Sequence, residues 1–317
     1  MSISTIFKGM AMGVAEAIPG VSGGTIAFIT GIYERLLTAI GSILGPEVLG
    51  AWRREGLAAA WKRADGNFIL FLGVGMVVGI GVAVFAITEL LENYPPVVWA
   101  FFFGLIIASA VYIAKQVDRW SPLAIGLLVA GAAVAFLLTT INPLSGSDNP
   151  VLVFLAGAIA ISALILPGIS GSFILLLLGM YTVVFNAVRN LASLDPAALL
   201  IVGVFALGCL VGLGLFSRLL TYTFRTYPNL TLATLTGFML GSLNKLWPWR
   251  NVLTTRVNSS GEEVPLLEEG VLPGAYTGGD PFLVGVVLAF VAGLVLVFLL
   301  DRFGPEGEDE VDVVEQL

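Results

Sequence analysis

The sequence predicts an all-α polytopic membrane protein built as an inverted-topology repeat. Each half is a Pro-Gly-broken helical hairpin, expected to be re-entrant, followed by three transmembrane helices. Three observations predict it. Of the 317 residues, 57% are apolar and only 12% charged, about half the charge of a soluble domain, which excludes an ordinary soluble enzyme. Several uninterrupted apolar stretches reach 18 or more residues, enough to cross a hydrocarbon core of about 30 Å at about 1.5 Å per residue. The third observation is internal: one pattern, Pro-Gly-x-Ser-Gly, occurs twice inside apolar sequence, at Pro19 and at Pro167.

The elements follow in order. The first repeat, 1–148, opens with the hairpin 5–44, whose arms 5–18 and 22–44 are separated by Pro19-Gly20. Proline ends an arm by removing an N–H, and glycine admits the turn. A cytoplasmic loop at 46–66 carries Trp52-Arg53-Arg54 and Trp61-Lys62-Arg63, the pattern of an amphipathic helix lying on anionic headgroups. Helices are then expected over 67–92, 96–115 and 122–140. The second repeat, 149–300, has the hairpin 151–188, broken at Pro167-Gly168, then helices over 197–224, 229–246 and 281–300 with an external loop at 247–280. An acidic cytoplasmic tail, 301–317, holds seven of the 22 acids, so the net charge of −7 is largely a solvated tail and loop effect.

Residues 19–33 and 167–181 align without a gap at an offset of 148, pairing Ser22 with Ser170, Gly31 with Gly179 and Tyr33 with Tyr181. Downstream the offset becomes 133: Gly75, Gly79 and Gly81 match Gly208, Gly212 and Gly214, Tyr94-Pro95 matches Tyr227-Pro228, and Gly104 and Ser109 match Gly237 and Ser242. Ordered glycine triplets and Tyr-Pro corners argue for duplication. A hairpin contributes an even number of crossings and three spans follow it, so the odd total inverts the second half. With the N-terminus inside, eleven Lys or Arg residues lie on the cytoplasmic side and four outside, which the positive-inside rule favours. Both termini are therefore expected in the cytoplasm, in the cytoplasmic membrane of the cell.

Broken helices persist at membrane depth only where the freed backbone groups are buried in protein or line a polar cavity. Two symmetric breaks therefore predict one shared site, with backbone N–H groups and hydroxyls suited to phosphate or carboxylate. The candidate headgroup residues are Glu16, Gly20, Ser22, Gly23, Gly24 and Thr25 from the first hairpin, and Gly168, Ser170, Gly171 and Ser172 from the second. Glu16 stands in apolar sequence eight residues beyond Lys8, where a charge costs roughly 2.5–3.5 kcal/mol on insertion scales. It either couples a proton to anion movement or accepts hydrogen bonds from the hairpin turn; its counterpart, Leu164, makes the site asymmetric. Arg35, Arg189 and Arg218 are candidate cationic partners, each equally able to snorkel to an interface. The absence of histidine and the single cysteine, Cys209, exclude a histidine base, a Cys/His metal site and a disulfide framework. No cofactor, metal or nucleic-acid partner is expected.

The run from Gly9 through Glu16, Pro19-Gly20-Val21-Ser22-Gly23-Gly24-Thr25 and Gly31-Ile32-Tyr33-Glu34-Arg35, together with the second hairpin Pro167-Gly168-Ile169-Ser170-Gly171-Ser172, resembles the signature of the polyprenyl-phosphate transporter family. The likeness covers essentially the whole chain apart from the tail. It implies translocation of a lipid-phosphate carrier of the undecaprenyl or dolichyl type from the outer to the cytoplasmic leaflet, for reuse in envelope glycan synthesis.

Two alternatives stay open. The hairpins also resemble those of membrane undecaprenyl-diphosphate phosphatases, which carry a Glu matched here by Glu16. That family's second Glu falls at Met12, its histidine at Thr25, and the Arg after its hairpin serine at Gly23 and Gly171. With that apparatus missing, hydrolysis is not expected. A small-anion transporter or channel would use the same two turns.

Overall fold

A helix interrupted in an apolar environment must find partners for the groups it frees, and this chain meets that need by bringing two broken hairpins together. The computed structural model describes residues 2–18, 21–43, 45–191, 195–257 and 263–303. The first set comprises α1 (Ser2–Glu16), α2 (Gly23–Ile29), α3 (Tyr33–Ile43), the short α4 (Pro46–Glu55) and α5 (Leu57–Arg63), then α6 (Gly66–Asn93), α7 (Pro95–Lys115) and α8 (Pro122–Thr140). The second comprises α9 (Pro150–Ile165), α10 (Gly171–Leu177), α11 (Tyr181–Asn190), α12 (Pro196–Thr226), α13 (Pro228–Ser242) and α14 (Leu283–Phe303). Among the described residues five helices, α6, α7, α8, α12 and α14, are long and apolar enough to cross a membrane. The chain is a multi-pass membrane protein.

Local chemistry sets the boundaries. Ser121, Asn149 and Asp195 cap α8, α9 and α12, each accepting a first-turn N–H, and proline follows each at the first helical positions, where its missing donor costs nothing. The two Tyr-Pro corners share one conformation: Tyr94 has φ −137° and ψ 48°, and Tyr227 φ −135° and ψ 54°. Each turns one long helix directly into the next.

Glycines fix the packing, by letting backbones touch. A Cβ on Gly9 or Gly13 would collide with the Leu72 or Met76 carbonyl of α6, and one on Gly75 or Gly79 with the Ile6 or Met10 carbonyl of α1. The seam recurs between α9 and α12, where Gly157 faces Phe205 O, Gly208 faces Phe154 O and Gly212 faces Ala158 O. The remaining helices pair between halves. Gly104 of α7 lies on Phe290 O of α14, and Gly237 of α13 on Leu128 O of α8; Gly293 meets Phe101 O, and Gly131 meets Thr234 O. Phe290 and Leu128 stand 162 apart in the chain, as do Gly293 and Gly131, while Gly237 and Gly104 keep the offset of 133. The last helix thus has its own offset, which the loop between α13 and α14 creates.

Four expectations are refined. The arms 22–44 and 169–188 are each broken a second time, at Gly31 (φ 69°) and Gly179 (φ 70°), so α2 and α10 are two-turn segments; α10 and α11 meet at 106°. The loop 46–66 holds two short helices separated by Gly56 (φ 89°). The span 229–246 ends as an α-helix at Ser242 and continues as a 3-10 turn to Leu246. Within 247–280 an antiparallel β-hairpin forms from β1 (Arg250–Val257) and β2 (Glu263–Gly270), with Val252 opposite Glu268. Gly20 and most of the acidic tail lie outside the described residues.

Candidate functional site

The hairpins cross, and the first hairpin supplies the partners the second one lacks. Pro167 interrupts the second hairpin, leaving the carbonyls at its break without helical donors. Ser22 Oγ donates to Leu166 O at 3.0 Å and reaches Leu164 O at 3.4 Å, and the Tyr33 hydroxyl donates to Ile165 O at 3.1 Å. Thr25 Oγ1 accepts from the Gly168 N–H at 3.1 Å. Ser22 and Thr25 are fully buried and Tyr33 nearly so. The approach is close enough to demand glycine: a Cβ on Gly24 would strike Ile165 O, and one on Gly168, at φ +84°, would lie 2.7 Å from the Met239 Cα.

The same motif is used differently in the two hairpins. Ser22 caps α2, accepting the Gly24 N–H at 3.1 Å, and the half-buried Glu16 Oε1 accepts the Gly23 N–H at 2.6 Å. Of the two roles expected for Glu16, the hydrogen-bonded turn is therefore a feature of the molecule. In the second hairpin Ser170 makes no side-chain cap bond; its hydroxyl lies 2.9 Å from that of Ser172. Where Glu16 meets Gly23, Leu164 stands against Gly171, the two Cβ positions 2.9 Å apart if Gly171 carried one. The first turn is closed by its own side chains, and the second keeps a hydroxyl pair with Ser172 exposed.

Beside that pair is a cavity of about 20 Å³, bordered by Ser170, Phe173, Thr139, Ser242 and Lys245, room for about one water. Lys245, from the 3-10 turn after α13, is the cation at its edge. Its Nζ bonds Glu268 Oε2 of β2 at 2.9 Å and lies 5.6 Å from the centre of the Phe173 ring. Arg250 of β1 has Nε 3.4 Å from the same carboxylate oxygen and donates through Nη1 to Asn244 O at 2.6 Å. Burial pulls the Arg250 guanidinium below its usual range, and the Glu268 charge opposes that pull. The Tyr276 phenol nearby is pushed up, first by burial and then by the same carboxylate.

The candidate arginines sit elsewhere. Arg35 forms a two-bond ion pair with Asp65 at 2.7 and 3.2 Å and stacks over Phe68 at 4.4 Å. Arg218 is exposed on α12, its stem near Gly41 of α3, and Arg189 is exposed at the end of α11. None of the three borders the cavity. Sequence reasoning missed Lys245 and gave Tyr33 no role. The signal for Lys245 was within reach: three residues beyond Ser242, the offset of 133 sets it opposite Tyr112.

Comparison with known proteins points to one family. A family model described as undecaprenyl phosphate translocase-like matches residues 12–264. A polyprenyl-phosphate transporter of Vibrio cholerae is 43% identical over 305 residues, covering 95% of this chain and 96% of that protein. Another of that name, from Staphylococcus aureus, is 31% identical over 255 residues, covering 77% and 85%. No solved structure matches the chain.

Proposed function

Because the chain belongs to the undecaprenyl phosphate translocase-like family, we propose that it moves a polyprenyl phosphate from the outer to the cytoplasmic leaflet, for reuse in envelope glycan synthesis. The headgroup binds where the two hairpins cross, with Ser170 and Ser172 as hydroxyl donors, while the isoprenoid tail stays in lipid through a lateral opening. The observation that carries this reading is the crossing itself. Two broken hairpins meet at one buried place, where one serine turn is consumed by structural bonds and the other retains hydroxyls that bond each other. Hydroxyls of that kind exchange a neutral partner for a charged one, and bonds to phosphate are roughly twice as strong.

In this reading the two halves are inverted relative to one another and rock about the crossing to expose it to each leaflet in turn. The N- and C-termini are cytoplasmic, which sets the β-hairpin on the outer face. The chain binds and moves its lipid without hydrolysing it. Glu16, the ionisable group of the first hairpin, couples a proton to the movement.

The test is leaflet accessibility of a polyprenyl phosphate in proteoliposomes, comparing the parent with Ser22→Ala, Ser170→Ala and Glu16→Gln. Movement in the parent and its loss in Ser170→Ala are expected. Equal rates in all four would remove the site. Release of inorganic phosphate from a polyprenyl diphosphate would favour the enzyme instead, and anion flux without any lipid requirement would favour a small-anion transporter.

A further inference from the structure

The ion cluster above the Ser170 cavity has the composition of a latch. Glu268 Oε2 holds Lys245 at 2.9 Å, and the two side chains are 17% and 18% exposed. The same oxygen stands 3.4 Å from Arg250 Nε, a buried donor with no hydrogen-bond partner among the described residues. Arg250 cannot follow the carboxylate easily, because its Nη1 is tied to Asn244 O. Glu268 can move instead by rotating its own side chain, while the base of the β-hairpin, where it stands opposite Val252, is held in place. There the Trp247 indole N–H donates to Val271 O and the Trp249 indole N–H to Pro281 O.

A shift of a few tenths of an ångström toward Arg250 would give Arg250 Nε the bond it lacks and lengthen the Lys245 contact, and rotation of the Glu268 side chain to Arg250 would complete the release. Removing one partner from a buried ion pair normally leaves an uncompensated charge, which is strongly unfavourable. Here the second cation is already in place. Lys245 alone of the two borders the cavity shared with Ser170, and the cavity in its latched form is too small for a phosphate group. The corresponding position in the first half is Tyr112, so the arrangement belongs to one side of the molecule only.

We propose that Lys245 is the cation that receives the anionic headgroup beside Ser170, and that Glu268 is its internal competitor, handed over to Arg250 as the headgroup arrives. The inference rests on the transporter reading and adds a binding residue and a gate to it. The ligand chemistry is a monoester phosphate on an apolar chain. A carboxylate holding the lysine until a doubly charged group displaces it also disfavours singly charged lipids, which compete less well for the same ammonium.

The experiment measures binding of a fluorescent short-chain polyprenyl phosphate to purified full-length protein, with a matched polyprenol as the uncharged control. Lys245→Met, which keeps the stem, is expected to weaken binding at least about tenfold, and Lys245→Arg to retain most of it. Glu268→Gln is expected to tighten binding severalfold, by removing the competitor. The double variant should bind as Lys245→Met does, because the effect of Glu268 passes through Lys245. Melting curves of each variant separate lost binding from lost fold. Unchanged binding in Lys245→Met, or weakened binding in a well-folded Glu268→Gln, overturns the latch while leaving the transporter reading intact. Failure of the parent to bind the phosphate in preference to the polyprenol overturns both.

Discussion

The two hairpin serines occupy matching positions in the repeat, yet their substitution should have opposite consequences. Ser22→Ala removes the cap bond to Gly24 N and the bonds to the carbonyls of Leu166 and Leu164, all at a side chain with no exposed surface. A helix cap contributes about 1 kcal/mol and a side-chain hydrogen bond between membrane helices about 0.6 kcal/mol, so the loss is about 2 kcal/mol. Ser170→Ala removes one hydroxyl–hydroxyl contact at 2.9 Å, about 0.6 kcal/mol on the same scale. Ser22→Ala should therefore lower the apparent melting temperature in detergent by about 5 °C and leave part of the transport activity of the folded fraction. Ser170→Ala should melt within about 2 °C of the parent and lose transport. The assay is thermal unfolding of both purified variants, beside leaflet exchange of polyprenyl phosphate at matched folded protein. Equal destabilisation by the two substitutions would falsify the assignment of Ser22 to structure and Ser170 to ligand.

Further expectations follow from the seams, the Glu16 carboxylate and the peripheral ion pair. Gly75→Ala sets a methyl group against Ile6 O and should reduce folded yield strongly, whereas Gly73→Ala meets open space and should be neutral; detergent-stable yield compares them directly. Glu16→Gln keeps an acceptor for the Gly23 N–H, so its melting temperature should fall by no more than the equivalent of about 1 kcal/mol. If Glu16 carries the coupled proton, the same variant loses the response of transport to an imposed pH gradient, and an undiminished response refutes that role. In a double-mutant cycle, Arg35→Ala and Asp65→Ala should show a coupling of about 0.5–1 kcal/mol with transport largely kept, in line with side chains 23% and 36% exposed. Loss of headgroup binding in Arg35→Ala would return that arginine to the site.

Much of this was legible in the chain because the same pattern of residues occurs twice. The Pro-Gly breaks, the Tyr-Pro corners and the glycine triplets are each a backbone requirement, and such requirements survive as residue identities. The second break at Gly31 and Gly179 was hidden, since a glycine in an apolar helix reads as a packing residue until its positive φ is seen. The inequality of Ser22 and Ser170 was hidden for a different reason: a hydroxyl's partner is decided by what crosses it, here carbonyls 142 and 144 residues away. Lys245 fell to charge counting, which tells on which side of a bilayer a lysine lies but not what it faces. The pairing of α7 with α14 and α8 with α13 left no periodic trace, because those helices are apolar on nearly every face.

That last pairing has a consequence for how such a chain can be divided or assembled. Each half lends two helices to the other, so a fragment ending near residue 145 keeps the α1–α6 seam but leaves the grooves at Gly104 and Gly131 unfilled. Two such fragments expressed as separate polypeptides should find each other, in the manner of protomers that exchange elements. Carrying both halves in one chain fixes that partnership and lets the halves differ, one holding a carboxylate at Glu16 and the other a lysine at Lys245.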